Sequence, residues 1–134
     1  MAILFSTSGR CSSFGGPNDT GVSPCEGLAF LFDTHDAPHL FLPMQPRGTT
    51  GLARRLNPRI FYVACRWDYD VTPKDMLAEP MVQALVRANG REYAAWPADW
   101  GPHEDTGRVV DLSPALMDAL GLETDDIVEV SYPA

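Results

Sequence analysis

The chain alternates short apolar runs with turns marked by glycine and proline, and few of its segments carry the i, i+3, i+4 stripe of a long helix. The runs that predict strands are Ile3–Ser6 continuing towards Cys11–Phe14, Leu28–Phe32, His39–Leu42, Ile60–Trp67, Met81–Arg87, Glu92–Trp96, Arg108–Leu112 and Ile127–Tyr132. Asn89-Gly90, between two such runs, predicts a tight hairpin, because both central residues of a type I′ turn need positive φ. One helix is written out in full. Ser113 is a good N-cap, Pro114 suits the first helical position, Leu116, Ala119 and Leu120 form one apolar face, and Gly121 ends it. Thr72–Leu77 predicts a helical turn capped by Thr72, while Gly48–Asn57 fits either a short helix or a loop. Many short strands with one or two short helices predict a small all-β closed barrel, filled by side chains and working through a surface groove.

Composition supports this picture and narrows the partners. With 134 residues, 12 prolines and 11 glycines, one loop-rich β domain spanning 1–134 is expected. No apolar run approaches a bilayer's thickness, so no membrane span is expected. The start, Met1 to Gly9, has no basic n-region and too short an apolar stretch for a secretory signal. That reading places the protein in the cytoplasm as synthesised, or sends it out by a route without such a signal. The net charge of -8 is uneven: residues 1–65 carry five bases against four acids, and residues 66–134 five against fourteen. Such a surface repels nucleic acid and anionic lipid, so neither is an expected partner.

Cys11, Cys25 and Cys65 form no CxxC pair, and His35, His39 and His103 complete no metal-site spacing with them, so neither metal nor cofactor is expected. Cys65 sits in the apolar run Ile60–Cys65 and reads as a buried small residue. Cys11 and Cys25 flank a glycine-rich segment and would bridge only in an oxidising compartment.

Several motifs in order resemble one family. Asn89-Gly90-Arg91, Asp99-Trp100-Gly101-Pro102, Gly107-Arg108-Val109-Val110-Asp111-Leu112-Ser113 and Leu120-Gly121-Leu122 resemble the second half of the RlpA-like double-psi β-barrel group. Ser13-Phe14-Gly15-Gly16, Asp19-Thr20-Gly21 and Cys25-Glu26-Gly27 are similar to the opening of RlpA-like and expansin-type barrels. The resemblance covers roughly residues 9–30 and 80–131 and implies a six-stranded double-psi β-barrel with one or two short helices.

The resemblance also implies chemistry. Asp111 corresponds to the general acid/base of the family's glycan-cleaving members, related to lytic transglycosylases, which makes a peptidoglycan-like glycan polymer the expected substrate. Asp19 is the candidate second carboxylate, since a glycosidase needs two flanking the scissile bond. Trp100, Asp99, Phe14, Thr20 and Glu26 are the candidate substrate-binding residues. Each has an ordinary alternative: Asp111 as an aid to the helix cap, Asp19 as a turn residue, Asp99 as a ligand of the loop backbone, and the aromatics as core. The chain departs from the family twice. Trp100 stands where an Arg is usual, replacing a forked donor by a stacking indole, and the family's His before the third strand has no counterpart. Three functions therefore stay open: a glycan-cleaving enzyme, an expansin-like glycan-binding module, and a structural or protein-binding barrel.

Overall fold

The computed structural model describes residues 3–15, 40–41, 56–68, 70, 77 and 83–133. Its strands are β1 (Ile3–Ser13), β2 (Tyr62–Cys65), β3 (Ala84–Ala88), β4 (Arg91–Asp99), β5 (Arg108–Leu112) and β6 (Ile127–Pro133). A 3-10 turn (Glu104–Thr106) precedes β5 and a helix, α1 (Pro114–Leu120), follows it. The strands close on themselves in the order β1-β5-β2-β4-β3-β6. Two pairs, β1 with β5 and β2 with β4, run parallel, and the other four are antiparallel. This is the small closed barrel the strand pattern predicts, with the six strands the resemblance implies.

The individual strands differ from expectation mainly at their ends. The two pieces predicted between Ile3 and Phe14 are one strand of 11 residues. The Ile60–Trp67 run contributes only Tyr62–Cys65 to the sheet, whereas the Glu92–Trp96 run extends to Arg91–Asp99. Leu28–Phe32 lies outside the described residues, and of His39–Leu42 only Leu40 and Phe41 are described, with Phe41 in an isolated antiparallel bridge to Leu56. Of Thr72–Leu77 only Leu77 is described, as helical. Cys25 lies outside the described residues, and Cys11 is a buried free thiol.

Side-chain alternation divides the apolar residues between two clusters. Cys11, Val63, Cys65, Val86, Val110, Leu112, Val128 and Val130 point inward and fill the barrel, joined by Leu116, Met117 and Leu120 from α1. A second cluster, Leu40, Phe41, Leu56, Tyr62 and Ala98, packs on the outside of β2 and β4. Phe14 closes its edge. Its ring meets Tyr62 edge-on at 5.0 Å, and the Tyr62 hydroxyl donates to the Phe14 carbonyl at 2.8 Å. The turn there needs Gly15, at φ 96°, because a Cβ would fall 1.7 Å from the Tyr62 hydroxyl.

The helix forms where its caps place it. Ser113 Oγ accepts from Leu116 N–H and also from Tyr62 N–H, each at 3.3 Å, so one buried hydroxyl ties the cap to β2. Gly121 adopts φ 66°, and its N–H bonds back to the last turn. The buried face is Leu116, Met117 and Leu120. Ala119, expected on that face, is half-buried, because Met117 turns inward against Cys11 with the two sulfurs 3.9 Å apart. The Asn89-Gly90 turn has φ 54° and 76°, as the hairpin reading requires. It does more than reverse the chain: Asn89 Nδ2 donates to Leu120 O at 2.7 Å and Arg91 Nη1 to Ala119 O at 2.7 Å. Those carbonyls belong to the helix end that has no partner of its own within the helix.

Candidate functional site

Asp111 reaches the outer face of the barrel because of an irregularity. Along β5, Val110 and Leu112 point into the core, so Asp111 between them points out. Against β1 the register runs Arg10 to Arg108 and then Cys11 to Val110, leaving Val109 as an extra residue. A regular ladder would have set Cys11 against Val109; the bulge sets Ser12 opposite Asp111 instead.

A second bulge does the same on the other side. β2 and β4 pair Val63 with Pro97 and Ala64 with Asp99, so Ala98 is the extra residue. Ala64 also pairs with Asp111 across β2 and β5. The outer surface therefore carries one row, Ser12–Asp111–Ala64–Asp99, across four adjacent strands. Two strand spacings separate the aspartates, roughly 10 Å between their Cα atoms, with the smallest possible chiral side chain between them. Both aspartates are half-buried.

The neighbours of this row have defined roles. Asp99 Oδ1 accepts from Trp100 N–H at 2.8 Å, which fixes the start of the following loop. Trp100 is half-buried against the core, and its indole N–H donates to the Trp67 carbonyl at 2.9 Å. Asp111 acts electrostatically on both buried thiols. Burial first, with the negative charges of Asp126 and Asp111 added, pushes the Cys11 thiol up to about 11. Burial, with a smaller contribution from Asp111, pushes Cys65 up to about 12. Both sulfurs are thus neutral thiols at neutral pH and unsuited to nucleophilic attack.

Of the residues singled out in the sequence, the structure brings Asp111 and Asp99 into one row, with Phe14 beside Tyr62 in the adjoining outer cluster. Asp19, Thr20 and Glu26 lie outside the described residues. Ser12 and Ala64 were not singled out, since only strand register places them between and beside carboxylates. Among the described residues no group of three or more His, Cys, Asp or Glu side chains is arranged to hold a metal ion. No described helix is long and apolar enough to cross a membrane.

Asp99 leads directly into the loop Pro102–Gly107, whose backbone is held from several directions. His103 Nδ1 accepts from Asp105 N–H at 3.2 Å, Thr106 Oγ1 donates to His103 O at 2.8 Å, and Gly107 N–H donates to Glu104 O at 3.0 Å. Two arginines from elsewhere complete the hold. Arg66, just after β2, donates through Nη1 to Pro102 O and to Arg108 O, the latter at 2.9 Å, and Arg10 on β1 donates to Gly107 O at 3.2 Å. Within the loop, residues 103–107 are exposed.

A separate open groove of about 630 Å³ lies by the hairpin turn, with Arg87, Arg91, Glu92, Ile127 and Glu129 in its walls. Strand register puts Ser8, Glu129, Arg87 and Glu92 in one row there, and Arg87 is paired with both glutamates. Neither Asp111 nor Asp99 lines it. Its size comes from an open surface, and its charges compensate one another, so the bulge-made row carries the stronger chemical signal.

The architecture is that of small closed mixed β-barrels. Among solved structures the chain is similar to Streptomyces papain inhibitor, with a TM-score of 0.51 and 17% sequence identity over 98% of this chain and 97% of that one. At that identity the likeness shows the fold. No protein-family model and no curated protein matches the chain.

Proposed function

We propose that this protein is a non-catalytic binding barrel whose ligand is another protein, of the papain-type cysteine protease class. The observation that supports the reading best is the likeness to a papain inhibitor along almost the whole of both chains. The surface is consistent with such a role. A closed barrel offers no free strand edge for an added strand, which leaves its loops and outer faces to meet a protein partner. Among the described residues the two thiols, Cys11 and Cys65, are buried and neutral, which leaves them out of covalent exchange with a protease cysteine. The test is inhibition of papain by the purified protein. Saturable inhibition supports the reading, and full papain activity at a large excess of the barrel contradicts it.

A second reading rests on the row Ser12–Asp111–Ala64–Asp99. Within the RlpA-like double-psi group that the Gly107–Ser113 motif resembles, Asp111 would be the proton donor, with Asp19, which lies outside the described residues, or Asp99, two strands away in register, as the second carboxylate. A spacing of roughly 10 Å between Cα atoms accommodates the 6.5–9.5 Å or so between carboxyl groups of inverting glycosidases. Turbidity loss on purified peptidoglycan, abolished in Asp111→Asn, would support cleavage. Retention on the glycan without cleavage would instead support an expansin-like module.

A further inference from the structure

We infer that Pro102–Gly107 is the segment through which the barrel docks on its protein partner, and that the facing rim of that partner is basic. The inference rests on the protein-binding reading above and names the surface and its chemistry.

The loop combines two properties that seldom coincide. Its backbone is fixed by four bonds of its own (Asp105 N–H to His103 Nδ1, Thr106 N–H and Oγ1 to His103 O, Gly107 N–H to Glu104 O) and by Arg10 and Arg66 from outside. Yet its side chains point to solvent: that of His103 is 75% exposed and that of Asp105 93%. A loop already held in one conformation loses little entropy when it binds, which is the usual source of affinity in a rigid contact segment.

The arginines make the case sharper. Residues 66–134 hold fourteen acids, so carboxylate partners abound, yet Arg66 donates to two backbone carbonyls, Pro102 O and Arg108 O. Those bonds fix the two ends of the loop against β2. Arg10 packs so closely on the loop's far end that a Cβ on Gly107 would fall 2.2 Å from its guanidinium.

Charge gives the partner's chemistry. Glu104 and Asp105 stand at the crest, and the loop is continuous in sequence with Asp99 on one side and, through β5, with Asp111 on the other. The crest itself is acidic, while the arginines beneath it are engaged, Arg10 and Arg66 on the loop's carbonyls and Arg108 with Asp125, so complementarity calls for lysine or arginine on the opposing rim.

Papain is the probe, with inhibition constants measured at low and high salt. The double variant Glu104→Gln with Asp105→Asn leaves every backbone bond of the loop in place and is expected to raise the inhibition constant about tenfold at low salt, with a much smaller difference at high salt. Arg66→Ala is expected to weaken inhibition at both salt concentrations, because it loosens the loop without touching its charges. Glu92→Gln, in the groove at the end of β4 away from the loop, is the control and should change nothing. Unchanged inhibition by the double variant, with its melting midpoint intact, overturns the assignment of the loop while leaving the protein-binding reading standing. Loss of inhibition in Glu92→Gln moves the surface to the groove. Absence of inhibition by the wild type removes both.

Discussion

Two turns on this barrel each hold a glycine at positive φ, Gly90 and Gly107, and are used in opposite ways. Asn89-Gly90-Arg91 directs its side chains at the end of α1, where they satisfy the Leu120 and Ala119 carbonyls. Pro102–Gly107 is itself held by side chains from other strands and leaves its own in solvent. The first turn serves the fold, and altering it should be felt as lost stability. The second is fixed in shape but chemically available, and altering its crest should be felt only by a partner.

The sharpest way to break that contrast is to remove what the first turn supports. Leu120→Ala, in the buried face of α1, should cost about 2–5 kcal/mol in a urea titration. Next, Arg66→Ala strips two carbonyls of a charged donor and should cost about 1.5–3 kcal/mol, with the loss reflected in faster amide exchange at residues 103–107. Gly121→Val forces a β-branched residue into the left-handed region at φ 66° and should lower stability by about 1–2 kcal/mol, since the space around it is otherwise open. Asn89→Ala removes one hydrogen bond to the helix end and should cost about 1 kcal/mol. At the bottom of the scale, Glu104→Gln with Asp105→Asn should stay within about 0.5 kcal/mol of wild type, as expected for exposed side chains away from structural contacts.

Stability against pH gives an independent check on the interior. Burial raises the folded thiols to about 11 for Cys11 and about 12 for Cys65, above the ordinary value of 9.0. Below that ordinary value both states hold the proton and the thiol contribution is fully present. As pH rises past 9.0 the unfolded chain releases protons that the folded chain keeps until about 11 and 12, so stability falls across that window. A urea midpoint that stays level from pH 9 to 11, with other groups controlled by Cys11→Ala and Cys65→Ala, would contradict the buried placement of these sulfurs.

The sequence spoke clearly where one residue type answers one local need. Ser113, Pro114 and Gly121 bracket a helix because capping and left-handed φ are local demands, and Asn89-Gly90 marks its turn for the same reason. The buried face of α1 was less legible: a three-residue period fits Ala119 as well as Met117, and only the position of Cys11 across the barrel decides for Met117. The pairing of Asp111 with Asp99 was not legible at all. It depends on two bulges, at Val109 and Ala98, and the neighbouring valines, alanines and prolines read equally well in an unbroken ladder. The anchors of Pro102–Gly107 were hidden for a related reason. Arg10 and Arg66 lie far from the loop in sequence and carry no motif, so nothing short of the closed barrel shows them converging on it.

On this reading the barrel meets a protein partner through its fixed, exposed loop. Amide hydrogen exchange of the barrel, alone and with an excess of inactivated papain, tests this most directly. Added protection is expected at residues 103–107 and none at residues 87–92. Added protection confined to the hairpin and groove, or none anywhere at saturating papain, would contradict it.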